Sequence, residues 1–99
     1  MGKLDGRVAI VSGGAQGIGR AIVDKLAAEG AGVVIADIDR EKAEAAAAAV
    51  SGLAVETDIA EPDQVARLVK TAVEECGQID VLVNNASIVP VTPWDEIDF

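Results

Sequence analysis

Short β-branched runs alternate with longer amphipathic stretches along this chain. Val8-Ala9-Ile10-Val11, Val33-Val34-Ile35-Ala36 and Val81-Leu82-Val83 carry no polar interruption, and Leu53-Ala54-Val55 is a weaker fourth run. Apolar runs of this length suit strands covered on both faces, as in a parallel sheet. The intervals between them are too long for hairpins and long enough for crossover helices.

The intervals themselves read as helices. Ile18, Ile22 and Leu26 recur at i, i+4 and i+8, with Ala21 and Val23 widening the stripe and Gly30 as the stop. Asp39 is the expected N-cap of a second helix over Arg40 to Val50, whose alanine run Ala45 to Ala49 favours helix and keeps the side chains thin. Ser51-Gly52 ends it. The third helix has the widest stripe: Val65, Leu68, Val69, Ala72, Val73 and Cys76. Pro62 sits in its first turn, where a missing N–H costs little, and Gly77 closes it. Cys76 completes the stripe and is expected to be a buried, inert thiol.

The chain therefore predicts β-α-β-α-β-α-β followed by a loop from Asn84. This is the α/β class: a doubly wound parallel sheet with helices on both faces and strand order 3-2-1-4. No internal repeat, linker or second domain interrupts residues 1–99. Ligands of such sheets bind beyond the carboxyl ends of the strands, where the strand order reverses. Two segments meet there, Ser12 to Gly19 and Asn84 to Pro90.

Ser12-Gly13-Gly14-Ala15-Gln16-Gly17-Ile18-Gly19 runs from the first strand straight into the first helix, with key glycines spaced G-x-x-x-G-x-G. Gly13 permits a sharp turn, Gly17 removes a side chain that would block a pyrophosphate, and Gly19 lets the helix approach the sheet. The N–H groups around Gln16, Gly17 and Ile18 then face an anion at the positive end of the helix dipole. Glycines also make ordinary turns, but this position within a βαβ unit points to a nucleotide. No Lys-Ser or Lys-Thr follows the last glycine, which excludes a P-loop.

Asp37 ends the second strand, 18 residues after Gly19. A carboxylate there can accept from adenosine ribose hydroxyls and repel a 2′-phosphate, which favours NAD over NADP. Arg40 would weaken that preference if it folded back. Asp58-Ile59 follows the third strand. Asp58 either meets an adenine amino group, with Ile59 against the ring, or begins the turn into the third helix. Asn84-Asn85-Ala86-Ser87 offers amides at the switch point, although Asx residues also form ordinary turns. Asp80, at the other end of the fourth strand, is expected to be structural.

Composition narrows the chemistry. The chain holds no histidine, no tyrosine and one cysteine, and its net charge is -9. A histidine base, a tyrosine acid and an internal disulfide are excluded within these residues, and no metal site is expected. The acidic balance argues against a nucleic-acid face. The polar N-terminus and short apolar runs predict neither a signal peptide nor a membrane span, and the default is a cytoplasmic protein.

Together, Ser12-Gly13-x-x-x-Gly17-Ile18-Gly19, Asp37, Asp58-Ile59 and Asp80-Val81-Leu82-Val83-Asn84-Asn85-Ala86 resemble the short-chain dehydrogenases/reductases, from about Leu4 to Ala86. The resemblance implies part of a Rossmann-type domain with NAD as cofactor. Gly13, Gln16, Gly17, Ile18 and Gly19 would cradle the dinucleotide and Asp37 would hold the adenosine ribose. Asp58 and Ile59 would bind adenine, and Asn84 with Ala86 would contact the rest of the adenosine. Asn85 and Ser12 would knit the first and fourth strands. The chain departs from the family pattern at Ser12, where threonine is usual, and at Ser87, where glycine is usual and a Cβ would crowd the loop.

The implied reaction is hydride transfer between an alcohol or carbonyl substrate and NAD(H). The family's catalytic serine, tyrosine and lysine would lie beyond Phe99, so no residue here takes a catalytic role and the 99-residue chain is expected to be inactive alone. The complete protein would be a homo-oligomer, a tetramer or a dimer. Trp94, Ile97 and Phe99 would approach the next helix. The alternatives are a dinucleotide-binding module without catalysis and another doubly wound nucleotide binder such as a methyltransferase.

Overall fold

The computed structural model describes residues 2–15 and 17–84. The elements are β1 (Val8–Ser12), α1 (Gly17–Ala28), β2 (Gly32–Asp37), α2 (Arg40–Ala49), β3 (Leu53–Glu56), α3 (Pro62–Cys76) and β4 (Val81–Asn84). The strands form one parallel sheet in the order β3-β2-β1-β4. This is the predicted doubly wound architecture.

The uninterrupted apolar runs occupy the centre of the sheet. All of Val8–Ser12 is buried, as are Val33, Val34, Ile35 and Ala36. Alternate residues feed two cores, because successive strand side chains point to opposite faces. On one face Val11, Val33 and Ile35 pack with Val23 of α1 and with Ala43, Ala46 and Ala47 of α2. On the other, Val8, Ile10, Val34 and Ala36 pack with Leu68 and Ala72 of α3. Burying an aliphatic side chain of this size stabilises by about 1.5–3 kcal/mol.

Local signals account for the helix limits. The Asp39 carboxylate accepts from the Lys42 N–H (3.1 Å) and so caps α2. Ala43, Ala46 and Ala47 of α2 sit on the sheet at zero to 4% exposure, while Ala45, Ala48 and Ala49 are exposed. Pro62 opens α3, and Gly77, in the left-handed region, returns its N–H to the Val73 carbonyl. Two expected stripes are narrower than the periodicity suggests. Ile18 is 74% exposed, and Val69 and Val73 are 43% and 45% exposed. Leu82 of β4 is also exposed. The third helix meets the sheet through Leu68 and Ala72, with Cys76 half-buried at the core margin rather than fully buried.

The amino ends of β1 and β4 are fastened by Asp80. Its carboxylate accepts from the Val8 N–H (2.8 Å) and the Gln78 side-chain amide (2.6 Å), and it pairs with Arg7 at 3.5 Å. The Asp80 N–H in turn donates to the Val8 carbonyl (2.8 Å). Asp80 thus has the structural place expected of it. The Val8 N–H, with help from Gln78 and Arg7, holds its carboxyl below the ordinary aspartate value against the opposing effect of burial. A depressed carboxyl pKa contributes stability above the unfolded-state value and loses it as pH falls through the folded-state value. Asp80→Asn should therefore lower the Tm of the full-length protein at neutral pH. The gap from wild type should shrink as pH falls below about 4, and a gap that stays constant from pH 7 to pH 3 would contradict this account.

Candidate cofactor site

Parallel pairing brings the carboxyl ends of the strands to one edge of the sheet. Ser12 is in register with Ala36 on one side and with Asn84 on the other, and Asp37 is opposite Glu56. The glycine loop leaves β1 at this edge, between β2 and β4. The Ser12 hydroxyl, 3% exposed, lies 3.0 Å from Asn84 Oδ1 and 3.4 Å from the Val83 carbonyl oxygen. It thereby ties β1 to β4 at the point where the strand order reverses.

The loop is attached to the end of β2 as well. Gly13, at φ +67°, donates its N–H to the Ala36 carbonyl (2.7 Å). Two residues on, the Ala15 N–H donates to Asp37 Oδ2 (3.2 Å). The other carboxylate oxygen, Oδ1, accepts from the Asp39 N–H (2.9 Å). Asp37 is half-buried and stands between the glycine loop and the start of α2. A carboxylate has about four acceptor positions, so two backbone donors leave room for hydroxyl donors.

Two glycines in the loop act in opposite ways. A Cβ on buried Gly14 would lie 3.0 Å from Val23 Cγ2 and 3.2 Å from both Val11 Cγ1 and the Val11 carbonyl oxygen. Gly14 is thus where α1 and β1 come close, a role the spacing assigns to Gly19, which is also buried. Gly17, at φ +63°, has nothing within 4 Å of a Cβ. Its backbone is bare and open at the first residue of α1. That turn carries no acidic side chain. First-turn N–H groups have no intrahelical partner, so this end of α1 can receive an anion. Ile18 is exposed beside it.

At the end of the third strand, Asp58 makes the turn that was one of its two expectations. Asp58 Oδ1 accepts from the Ala60 N–H (2.9 Å), and the Asp58 N–H donates to Gln64 Oε1 (2.8 Å). Asp58 therefore begins the turn into α3, where Glu61 makes no side-chain cap bond. One Asp58 oxygen is left over from that turn. Ile59 is half-buried beside it. Gln16, Asn85, Ala86 and Ser87, and likewise Trp94, Ile97 and Phe99, lie outside the described residues.

The pattern of the chain did not single out Ile38. It stands between Asp37 and Asp39 at 68% exposure, an aliphatic surface at the edge that the other site residues share. An isoleucine between two acids just after a buried strand was the available signal. A groove of about 290 Å³ lies along β3, lined by Arg40, Glu44, Ala54, Val55, Glu56, Arg67 and Thr71. It shares no residue with the glycine loop. In it Arg40 pairs with Glu44 (3.4 Å) and Arg67 donates to the backbone carbonyl of Glu56 (2.8 Å).

The chain is similar to known proteins. Residues 7–99 match the family model described as short chain dehydrogenase. Galactitol 2-dehydrogenase of Agrobacterium fabrum is 44% identical over 97 residues, which cover 96% of this chain and 38% of that protein. The crystal structure of a short chain dehydrogenase from Mycobacterium avium superposes with a TM-score of 0.84 at 42% identity, covering 90% of this chain and 36% of that one. The 3-ketoacyl-(acyl-carrier-protein) reductase of Brucella melitensis, complexed with NADH, gives a TM-score of 0.79 at 35% identity, covering 81% of this chain and 34% of that one. The chain thus spans little more than a third of the length of the proteins it matches.

Proposed function

The chain belongs to the short-chain dehydrogenase family, and from that footing we propose that residues 1–99 are the NAD-binding part of an oxidoreductase. The observation that carries the reading is the open backbone of Gly17 at the start of α1, with the Asp37 carboxylate across the same loop. Gln16, Gly17, Ile18 and Gly19 would hold the pyrophosphate through backbone N–H groups and the helix dipole, and Gly13, whose own N–H goes to the Ala36 carbonyl, would make the turn that brings the loop to the dinucleotide. Asp37 would accept from the adenosine ribose hydroxyls. Asp58, Ile59 and the exposed Ile38 would flank the adenine, and Asn84 with Ala86 would complete the adenosine pocket. The Brucella neighbour's NADH complex supports a nicotinamide dinucleotide as the class of ligand.

When bound, the nicotinamide would donate or accept a hydride. The residues described above bind and orient; none is assigned a proton. The likeness to the short-chain dehydrogenases implies that the acid/base chemistry on an alcohol or carbonyl substrate would belong to a tyrosine outside these 99 residues, which contain none. The complete enzyme would work as a cytoplasmic homo-oligomer, and these residues would form one part of its dinucleotide-binding domain.

The test is cofactor preference. A 2′-phosphate placed against Asp37 brings like charges together, at a cost of about 1 kcal/mol in water-like surroundings and several times more where solvent is excluded. NADH should bind the full-length protein at least tenfold more tightly than NADPH, measured by fluorescence titration. Asp37→Ala should narrow that ratio to within about threefold. A wild-type preference for NADPH would overturn the role given to Asp37.

A further inference from the structure

We infer that Asp37 is a positioning residue for the glycine loop, separately from any ribose it contacts. This deepens the cofactor reading above and rests on it for its binding consequence, but the geometry is a property of the chain alone. The loop is fastened to the end of β2 at two neighbouring points. Gly13 donates to the Ala36 carbonyl at 2.7 Å, and Ala15 donates to Asp37 Oδ2 at 3.2 Å. The first attachment is backbone to backbone and survives any side chain. The second depends on the carboxylate.

Ala15 is 7% exposed, so its N–H has little access to water if that acceptor is removed. A buried backbone donor needs a partner. The carboxylate is itself held still, because Oδ1 takes the Asp39 N–H at 2.9 Å and Asp39 caps α2. Asp37 therefore ties the glycine loop to the start of α2. Gly17, where the backbone is open to a ligand, lies two residues beyond Ala15. Releasing Ala15 removes one of the two attachments described between this loop and the end of β2 and leaves the one at Gly13. A substitution meant only to admit a 2′-phosphate also loosens the loop that receives the pyrophosphate.

Amide hydrogen exchange of the full-length protein, without cofactor, separates this role from ribose binding. In Asp37→Ala, the Ala15 amide should exchange at least tenfold faster than in wild type, with the Val11 and Ile35 amides unchanged. A second arm uses a form of NADH whose adenosine ribose lacks both hydroxyls. Asp37 has no hydroxyl to hold there, yet Asp37→Ala should bind this analogue at least threefold more weakly than wild type. An unchanged Ala15 rate or an equal analogue affinity overturns the inference. Failure of wild type to bind NADH would instead overturn the cofactor reading, while the exchange arm still decides the loop. If Asp37→Ala does not fold, Asp37→Asn leaves one acceptor oxygen for two backbone donors, and the Ala15 or the Asp39 amide should then exchange at least threefold faster.

Discussion

Gly17→Val is expected to lower the affinity of the full-length protein for NADH by at least about a hundredfold while leaving the protein folded. Gly17 sits at φ +63° with open space where a Cβ would stand. The Cβ of a valine there meets no atom of the described residues, so the main cost expected for the fold is the left-handed backbone, about 1–2 kcal/mol. For a domain of roughly 150–250 residues this is a fall in Tm of less than about 8 °C. The branched side chain would fill the space above the first turn of α1. It would also favour a backbone that turns the adjacent N–H groups away. A hundredfold loss is about 2.8 kcal/mol, comparable to a charge-assisted hydrogen bond and part of a second. Titration with NADH beside a thermal melt checks both halves. Wild-type affinity in the variant would show that no ligand approaches this backbone.

The opposite result is expected from Ile35→Ala: a large loss of stability and little change in cofactor preference. Ile35 is fully buried in the central part of the sheet. Its neighbours are poor at refilling a hole. Ala43, Ala46 and Ala47 have no side-chain atoms beyond Cβ, and Val11, Val23 and Val33 are stiff about χ1. The cavity should persist, placing the cost in the range of about 2–5 kcal/mol seen for such truncations. Denaturant unfolding of the full-length protein measures it. A cost below about 1 kcal/mol would mean that the alanine-faced helix α2 moves inward to close the space.

The contrast explains which parts of the molecule are legible in the sequence. The strands are plain because a parallel strand is covered on both faces and must be apolar throughout, and Val8–Val11 and Val33–Ala36 are. Strand order follows from chain order with few choices once the crossovers are helical. The width of the helix stripes is not plain. Val69 and Val73 have the same spacing as Leu68 and Ala72, but periodicity describes a helix and says nothing of how far the surface beneath it extends. The described sheet reaches Leu68 and Ala72 and leaves the other two partly exposed.

At the site, Gly17 was legible because only glycine serves a bare backbone at positive φ, and Asp37 because it is an acid at the end of a strand. What Asp37 does to Ala15 was not legible. The donor is a backbone N–H, which every residue but proline has, and the partners are 22 positions apart. Asp58 supports two roles because one short carboxylate can start a turn or meet a base. The bond its carboxylate accepts from Ala60 and its N–H bond to Gln64 show the first. Gly14 and Ile38 are not legible in the sequence for a common reason: each matters through space it does or does not fill, and neither brings a distinctive functional group.

The bond from Val8 to Asp80, 72 positions apart, bears on the order in which the sheet can assemble. Joining β1 to β2 closes a stretch of chain about one-third as long as joining β1 to β4, and a threefold longer loop adds about 1 kcal/mol of closure entropy. The β1–β2–β3 half, with its alanine-faced helix, can therefore form on local connections. β4 docks on it as the long-range step, the kind that slows folding. The Asp80 clasp, formed with that last strand, would act mainly on how long the sheet stays closed rather than on how fast it forms.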